Sequence, residues 1–361
     1  MSATRPADPL DGGEPGAVYL LGMPFTGSTL IALALGAAPG VTNLGEMLML
    51  ENDFHGGQRC SCGATLDDCP FWRGAAAATR ADREAGRPTL TLERDARLHA
   101  VDSRAPSRLV RLALLLRAPL RTIYGATALT DYAARHEGFV RRVAALSGSR
   151  YVVDASKSAR RLAILRAHGR LRLRVLLLHR PAAAILAGRV KRARRRQRRY
   201  TPLSAAAMLV WLLFHIRETL RAWDDAPADE KRLLSFEAFA RDPAAAEAGL
   251  RDWLEVPREP GLEAGSRIDL RGQHVFTGNR WLFRHDPASR GVEIRPAEAA
   301  RLDPLERRLL DLARMASPAL RRWEALAGEA PRRGPRASVR TGELVSGRSD
   351  GVGRVGAGSA E

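Results

Sequence analysis

The sequence predicts an α/β domain with a central parallel sheet flanked by helices. Three observations predict it. Short runs rich in Val and Leu recur at 17–21, 151–154, 173–179 and 232–235 with little polar–apolar alternation, the pattern of strands buried on both faces. Helical spacing separates them: Leu129, Tyr132, Ala133, Phe139, Val140, Val143 and Leu146 share one face, and similar patterns run across 203–223 and 300–326. The first run also enters a glycine-bounded turn of the kind that feeds a crossover helix, and strands joined by such helices lie parallel.

Taken in order, residues 1–16 are rich in Pro, Gly and acids and read as a disordered N-terminal tail. One domain then fills 17–330. Its first strand, 17–21, is followed by 29–35, a run so uniformly apolar that composition alone suggests a second buried strand. The stretch from about 50 to 128 departs from the rhythm, with a Cys-bearing loop and then a Leu-rich run at 109–116. It reads as a helical, Cys-bearing insertion. Strands return at 151–154, 173–179 and 232–235, and the Gly-, Ser- and Arg-rich 331–361 reads as a disordered C-terminal tail. No repeat with a period of 20–50 residues is visible.

With 361 residues, 45% of them hydrophobic, the chain has ample material for a core, which excludes wholesale disorder. A net charge of +18 implies a basic surface, an acidic partner, or both. Only Lys157, Lys191 and Lys231 are lysines, and an Ala- and Arg-heavy chain is what GC-rich bacterial coding produces, so the charge is discounted as a functional signal. The longest apolar run, 205–216, has 12 residues against the roughly 20 of a spanning helix, and the N-terminus has no apolar signal core. These features predict a cytoplasmic protein with no membrane span.

Chemistry enters at Gly22-Met-Pro-Phe-Thr-Gly-Ser-Thr-Leu30. An apolar strand enters a turn between Gly22 and Gly27, and a helix leaves from Ser28. That geometry aims the amides of about Thr26 to Leu30 into one concavity at the positive end of a helix, an anion site. A triphosphate kinase would carry Lys where Ser28 stands, so the spacing suits a nucleotide with a single 5′-phosphate. Two further strands end in polar groups: one in Asp154, Ser156 and Lys157, followed by Arg160 and Arg161, the other in His179, Arg180 and Pro181. Ligands of open parallel sheets gather at these carboxyl ends.

At this point the sequence resembles the sulfotransferases that use 3′-phosphoadenosine 5′-phosphosulfate (PAPS), especially their bacterial branch. The segment Gly22 to Leu30 resembles the family's 5′-phosphosulfate loop, usually G-x-P-R-S-G-T/S-T-L. Val41-Thr-Asn-Leu-Gly-Glu46 is similar to a following segment ending in G-E, and Asp154-Ala-Ser-Lys157 to D-S-S-K. Leu178-His-Arg-Pro181 occupies the place of the 3′-phosphate motif L-V-R-D-P. Ser235-Phe-Glu237 with Asp242 and Pro243, and His274-Val-Phe-Thr-Gly-Asn279, resemble two later motifs, and Cys60, Cys62, Cys69 and Trp72 a Cys-bearing insertion of bacterial members. Motifs in this order over most of 17–327 imply the P-loop-like sulfotransferase fold.

The resemblance implies an enzyme moving a sulfuryl group from PAPS to a hydroxyl or amine of a small molecule or glycan, with no metal required. It implies Glu46 as general base and Lys157 as the clamp on the transferring group. Pro24, Phe25, Thr26, Gly27, Ser28, Thr29 and Leu30 would bind the 5′ end of the nucleotide, and Arg180, Gly278, Asn279 and Arg280 its remainder. Three departures stand out. Phe25 replaces a usual Arg or Lys, His179 takes the usual Arg position with Arg180 in that of Asp, and the Ser expected further on is Ala187 or Gly188. They motivate one alternative, a family member that binds nucleotide without turnover; the others are a P-loop kinase and a nucleic-acid-binding protein.

Cys60, Cys62 and Cys69, with His55 nearby, are potential zinc ligands, but the C-x-C spacing is tighter than a usual knuckle, and a disulfide or plain thiols are expected instead. Residues 189–199 hold eight cations in eleven positions, which suits either a lid over the nucleotide or a solvated, partly disordered stretch, and motivates the nucleic-acid alternative. Neither a helix-turn-helix nor a zinc-finger signature accompanies it. Trp211 and His215 lie four apart on the following helix, His215 suiting a packed core or the site equally.

Overall fold

The structure, a computed structural model, describes residues 13–54, 57–92, 119–196, 200–257, 262–263, 267–270, 272–277, 291–295 and 301–329. Both predicted tails fall almost entirely outside these residues, as does the Leu-rich run at 109–116. Five parallel strands form the central sheet: β1 (Gly16–Leu21), β2 (Val41–Asn43), β3 (Tyr151–Asp154), β4 (Arg172–His179) and β5 (Lys231–Ser235), in the order β2-β3-β1-β4-β5. Register runs Gly16 to Tyr151 on one side of β1 and Gly16 to Arg172 on the other. The chain therefore steps from β1 outward in both directions, and a crevice opens at the carboxyl ends where the connections diverge.

The sheet is flanked by helices: α1 (Ser28–Gly36), α2 (Leu50–Asp53), α3 (Pro70–Glu84), α4 (Leu120–Tyr124), α5 (Ala126–Ser147), α6 (Ala159–His168), α7 (Ala182–Arg196), α8 (Pro202–Asp224), α9 (Phe236–Arg241), α10 (Pro243–Leu254), α11 (Pro304–Ala316) and α12 (Pro318–Glu329). The run 29–35 lies in α1, correcting the strand that composition suggested; a short apolar run cannot distinguish the two, and the turn before it decides. Three small strands, β6 (Leu262–Glu263), β7 (Arg267–Asp269) and β8 (Gly291–Glu293), form a separate antiparallel sheet that the sequence did not disclose.

Alternate residues of the strands feed two cores. Tyr19, Leu21, Val152, Val175 and Leu177 join the core that holds α3, α5, α8 and α12; Val18, Leu20, Val153, Leu176 and Leu178 join the one that holds α1, α9 and α10. At 23 residues α8 is long and apolar enough to cross a membrane by length and composition. The helical spacing at 203–223 marked it, but the apolar-run count of 205–216 stopped short of its full length because polar residues interrupt the run. Its Leu212, Ile216 and Leu220 are buried, and it packs against α6, α7, α11 and α12, so one face serves the core.

Candidate functional site

The turn after β1 is closed by Thr26, whose hydroxyl and amide both donate to the Met23 carbonyl, at 2.7 and 3.4 Å. Thr26 is fully buried, so the expectation that the free amide run begins there is corrected: it begins at Gly27. Gly27 has φ +80°, and a Cβ there would fall 2.1 Å from the Phe236 ring, so conformation and space both demand glycine. No side chain caps α1. Gly27, Ser28, Thr29 and Leu30 instead line a cavity of about 1570 Å³ with the positive end of the helix turned to it.

Phe25 stands in the left-handed region at φ +73°. Its ring lies against α7 at Gly188, where a Cβ would meet ring atoms at 2.9 Å. Its carbonyl accepts from Arg180 Nη1 at 2.8 Å. The Arg180 guanidinium also stacks on Phe236, 4.7 Å from the ring centroid, and its Nε donates to Glu237 Oε1 at 3.4 Å. The cation that the sequence lacks at position 25 thus arrives beside it from the end of β4. His179, the last residue of β4, is fully buried against Trp323, and burial pushes its pKa down to about 4. It is a neutral core residue, which leaves Arg180 as the residue of this motif that faces the cavity.

On the other side of β1, Glu46 and Lys157 form an ion pair, Nζ to Oε1 2.8 Å, with the lysine side chain 10% exposed. Lys157 Nζ donates also to the Ala155 carbonyl at 2.7 Å. Each partner is held from behind. The Glu46 amide donates to Thr277 Oγ1 at 2.9 Å, and the Gly45 that precedes it, at φ +71°, leaves only 2.8 Å between a Cβ and that oxygen. Lys157 itself sits at φ +60°, and its loop is fixed by Asp154, which accepts from Ser156 and pairs with the buried Arg161 at 3.0 Å. Two of the three non-glycine residues at positive φ among the described residues, Phe25 and Lys157, therefore lie in one site, where such strain concentrates. Thr29, Glu46 and Lys157 share a small recess off the main cavity.

The basic run is ordered where it is described. Residues 189–196 belong to α7, while 197–199 lie outside the described residues. Arg189 stacks on Trp211, its guanidinium carbon 3.6 Å from the ring centroid, Arg192 lines the cavity, and Arg194 reaches Asp303 and Glu306, each at 2.7 Å. Arg189 and Arg194 are thus engaged by partners, while Lys191, Arg192, Arg194 and Arg195 remain exposed to solvent. His215, beside Trp211, lines the same cavity, and burial followed by the Arg189 charge pushes its pKa down to about 4.

Pro24, Phe25, Gly27, Ser28, Thr29, Leu30, Glu46, Lys157 and Arg180 thus converge on one cavity. Gly278, Asn279 and Arg280 lie outside the described residues. Sequence reasoning met Gly188, which lines the cavity from α7, only as a place for an expected Ser, and missed Arg221, Arg267 and Arg295, which line it from α8, β7 and just beyond β8. No local pattern marks them, because each is brought in by tertiary packing.

No protein-family model matches the chain, and no curated protein matches its sequence. Among solved structures it is similar to a sulfotransferase from Mycobacterium avium, at 14% identity over 86% of this chain and 79% of that one, TM-score 0.47. It is also similar to a sulfotransferase domain from the curacin biosynthetic pathway, at 13% identity over 88% and 98%, TM-score 0.41. A sulfotransferase from Alicyclobacillus acidocaldarius matches at 12% identity over 88% and 96%, TM-score 0.40.

Proposed function

We propose that the protein is a cytoplasmic, bacterial-type sulfotransferase that moves a sulfuryl group from PAPS to a hydroxyl or amine of a small molecule or glycan. One observation carries the proposal: an uncapped helix N-terminus after a glycine turn shares a cavity with a carboxylate–lysine pair and an arginine, all at carboxyl ends of parallel strands. The cavity fits an anionic nucleotide, because amides at 27–30 and the cations Lys157, Arg180 and Arg192 line it.

In this reading the donor supplies the sulfuryl group and a 5′-phosphate leaving group. The amides of Gly27 to Leu30 and the hydroxyls of Ser28 and Thr29 hold that phosphate and stabilise the charge it gains. Glu46 takes the proton from the acceptor oxygen or nitrogen, and Lys157 both orients the Glu46 carboxylate and stabilises the transferring group. Arg180 keeps one donor on the Phe25 carbonyl and offers others to the 3′-phosphate. Its position beside Phe25 favours an active enzyme over a nucleotide binder without turnover.

The kinase alternative is disfavoured by Ser28 and by Asp154, the acid at the end of β3, which is committed to Arg161 and Ser156 and so not free for a magnesium ion. The nucleic-acid alternative is disfavoured by the engagement of Arg189 with Trp211 and of Arg194 with Asp303 and Glu306. Calorimetry with 3′,5′-adenosine bisphosphate, ATP and random-sequence DNA tests the proposal. The bisphosphate is expected to bind at micromolar affinity and ATP at least tenfold more weakly; equal binding of the two would remove the sulfotransferase assignment.

A further inference from the structure

The insertion carries a second site. Cys60 and Cys62 lie in a tight turn closed by Cys60 N to Ala64 O and Gly63 N to Cys60 O, both 2.9 Å. Cys69 precedes α3, and His274 arrives from a segment 205 residues away. The four ligand atoms lie within 4.8 Å of one another: Cys62 Sγ to Cys69 Sγ is 3.8 Å, and His274 Nδ1 is 3.8 Å from Cys60 Sγ and 3.3 Å from Cys69 Sγ. A tetrahedral ion with metal–sulfur bonds of about 2.3 Å and a metal–nitrogen bond of about 2.0 Å needs edges of roughly 3.5–3.8 Å, which these separations approach.

We propose that Cys60, Cys62, Cys69 and His274 bind one structural zinc ion that joins the insertion to the segment behind Glu46. Soft thiolates with one imidazole select zinc over magnesium or calcium, and four protein ligands fill a tetrahedron, leaving no open position for catalysis. Outer contacts orient the ligands as zinc sites require. The Phe71 ring stacks on His274 at 4.9 Å and 3°, and Trp72 Nε1 donates to the His274 carbonyl at 2.9 Å. Ser61 ties the turn to the same segment: its amide donates to Val275 O at 2.8 Å, its hydroxyl donates to Gln273 O at 2.8 Å, and Val275 N donates to that hydroxyl at 2.9 Å.

The three cysteines are unpaired in the structure, as the plain-thiol expectation has it; the proposal adds a metal to them and takes its histidine from a distant segment in place of His55, which lies outside the described residues. It stands independently of the sulfuryl-transfer reading. Its structural consequence reaches the first site, because the stapled segment ends at Thr277, which holds the Glu46 amide.

Elemental analysis of the full chain, produced with zinc supplementation and purified under reducing conditions, is expected to give one zinc per chain. Three thiols should become titratable only after denaturation with a chelator. Cys62→Ser, at an exposed side chain, and His274→Ala should each lower zinc content at least tenfold. Cobalt(II) added to demetallated wild type should give the visible absorption of a tetrahedral thiolate site, a readout that survives if the variants fail to fold. A wild type without zinc and without that cobalt spectrum would overturn the proposal. So would two thiols found joined in a disulfide, or folded variants that keep full zinc.

Discussion

Replacing Gly188 by Ala isolates the contact that seats Phe25. A Cβ there would stand 2.9 Å from Phe25 Cγ and Cδ1 and 3.1 Å from its Cβ. These atoms lie at the root of the side chain, so no rotation of the ring tip relieves them. Inside a helix such as α7, Gly→Ala ordinarily stabilises by about 0.5–1 kcal/mol. Overpacking costs about 1–3 kcal/mol, so the variant should be destabilised by up to about 2 kcal/mol. In a Phe25→Gly background the clash disappears, and the same substitution should stabilise by about 0.5–1 kcal/mol. Urea unfolding of wild type, both single variants and the double variant measures all four corners, with a coupling of about 1–3 kcal/mol expected. The same sign in both backgrounds would refute the seat. Nucleotide affinity of Gly188→Ala should fall several-fold, because the displaced Phe25 carbonyl is the anchor of Arg180.

Glu46→Gln should lower turnover by about 10²–10⁴ with little change in nucleotide affinity, as loss of a general base does; near-normal turnover in steady-state assays would send the proton elsewhere. Phe25→Arg should lower turnover, since a second guanidinium would compete with Arg180 for the same few ångströms, and faster transfer by this variant would show that the missing charge was limiting. Stability should fall with pH through His179. The unfolded chain protonates it near pH 6.5 while the fold holds its pKa at about 4, so stability present above 6.5 is lost as the pH drops towards 4. At about 1.4 kcal/mol per pH unit that window is worth about 3 kcal/mol, and His179→Leu should flatten the decline in unfolding experiments at pH 7, 5.5 and 4.5.

What the sequence disclosed was the part written locally. Four short Val- and Leu-rich runs mark β1, β3, β4 and β5 because burial on both faces leaves little polar alternation. The three residues of β2 are too few for any period, and the run in α1 is as apolar as a strand since Ile31, Leu33 and Leu35 are all buried. The phosphate turn, Glu46 and Lys157 were legible as short motifs at strand ends. Gly188 was not, because its smallness matters only once Phe25 lies on it, and the same holds for His274 and the cysteines it meets. Within the cation run, charge counting marked the exposed Lys191, Arg192 and Arg195 but does not show Arg189 against Trp211.

The central sheet serves as a wall shared by two separate cores, with Tyr19, Leu21 and Met23 turned to one and Val18 and Leu20 to the other. Amides of β1 also lie between β3 and β4. Solvent reaches them only when both cores have opened, so hydrogen exchange there should track global unfolding. The phosphate turn springs from this slowest-opening strand. In the proposed reading, the amides that would meet a charged ligand are thus mounted on the part of the molecule least able to relax away from it.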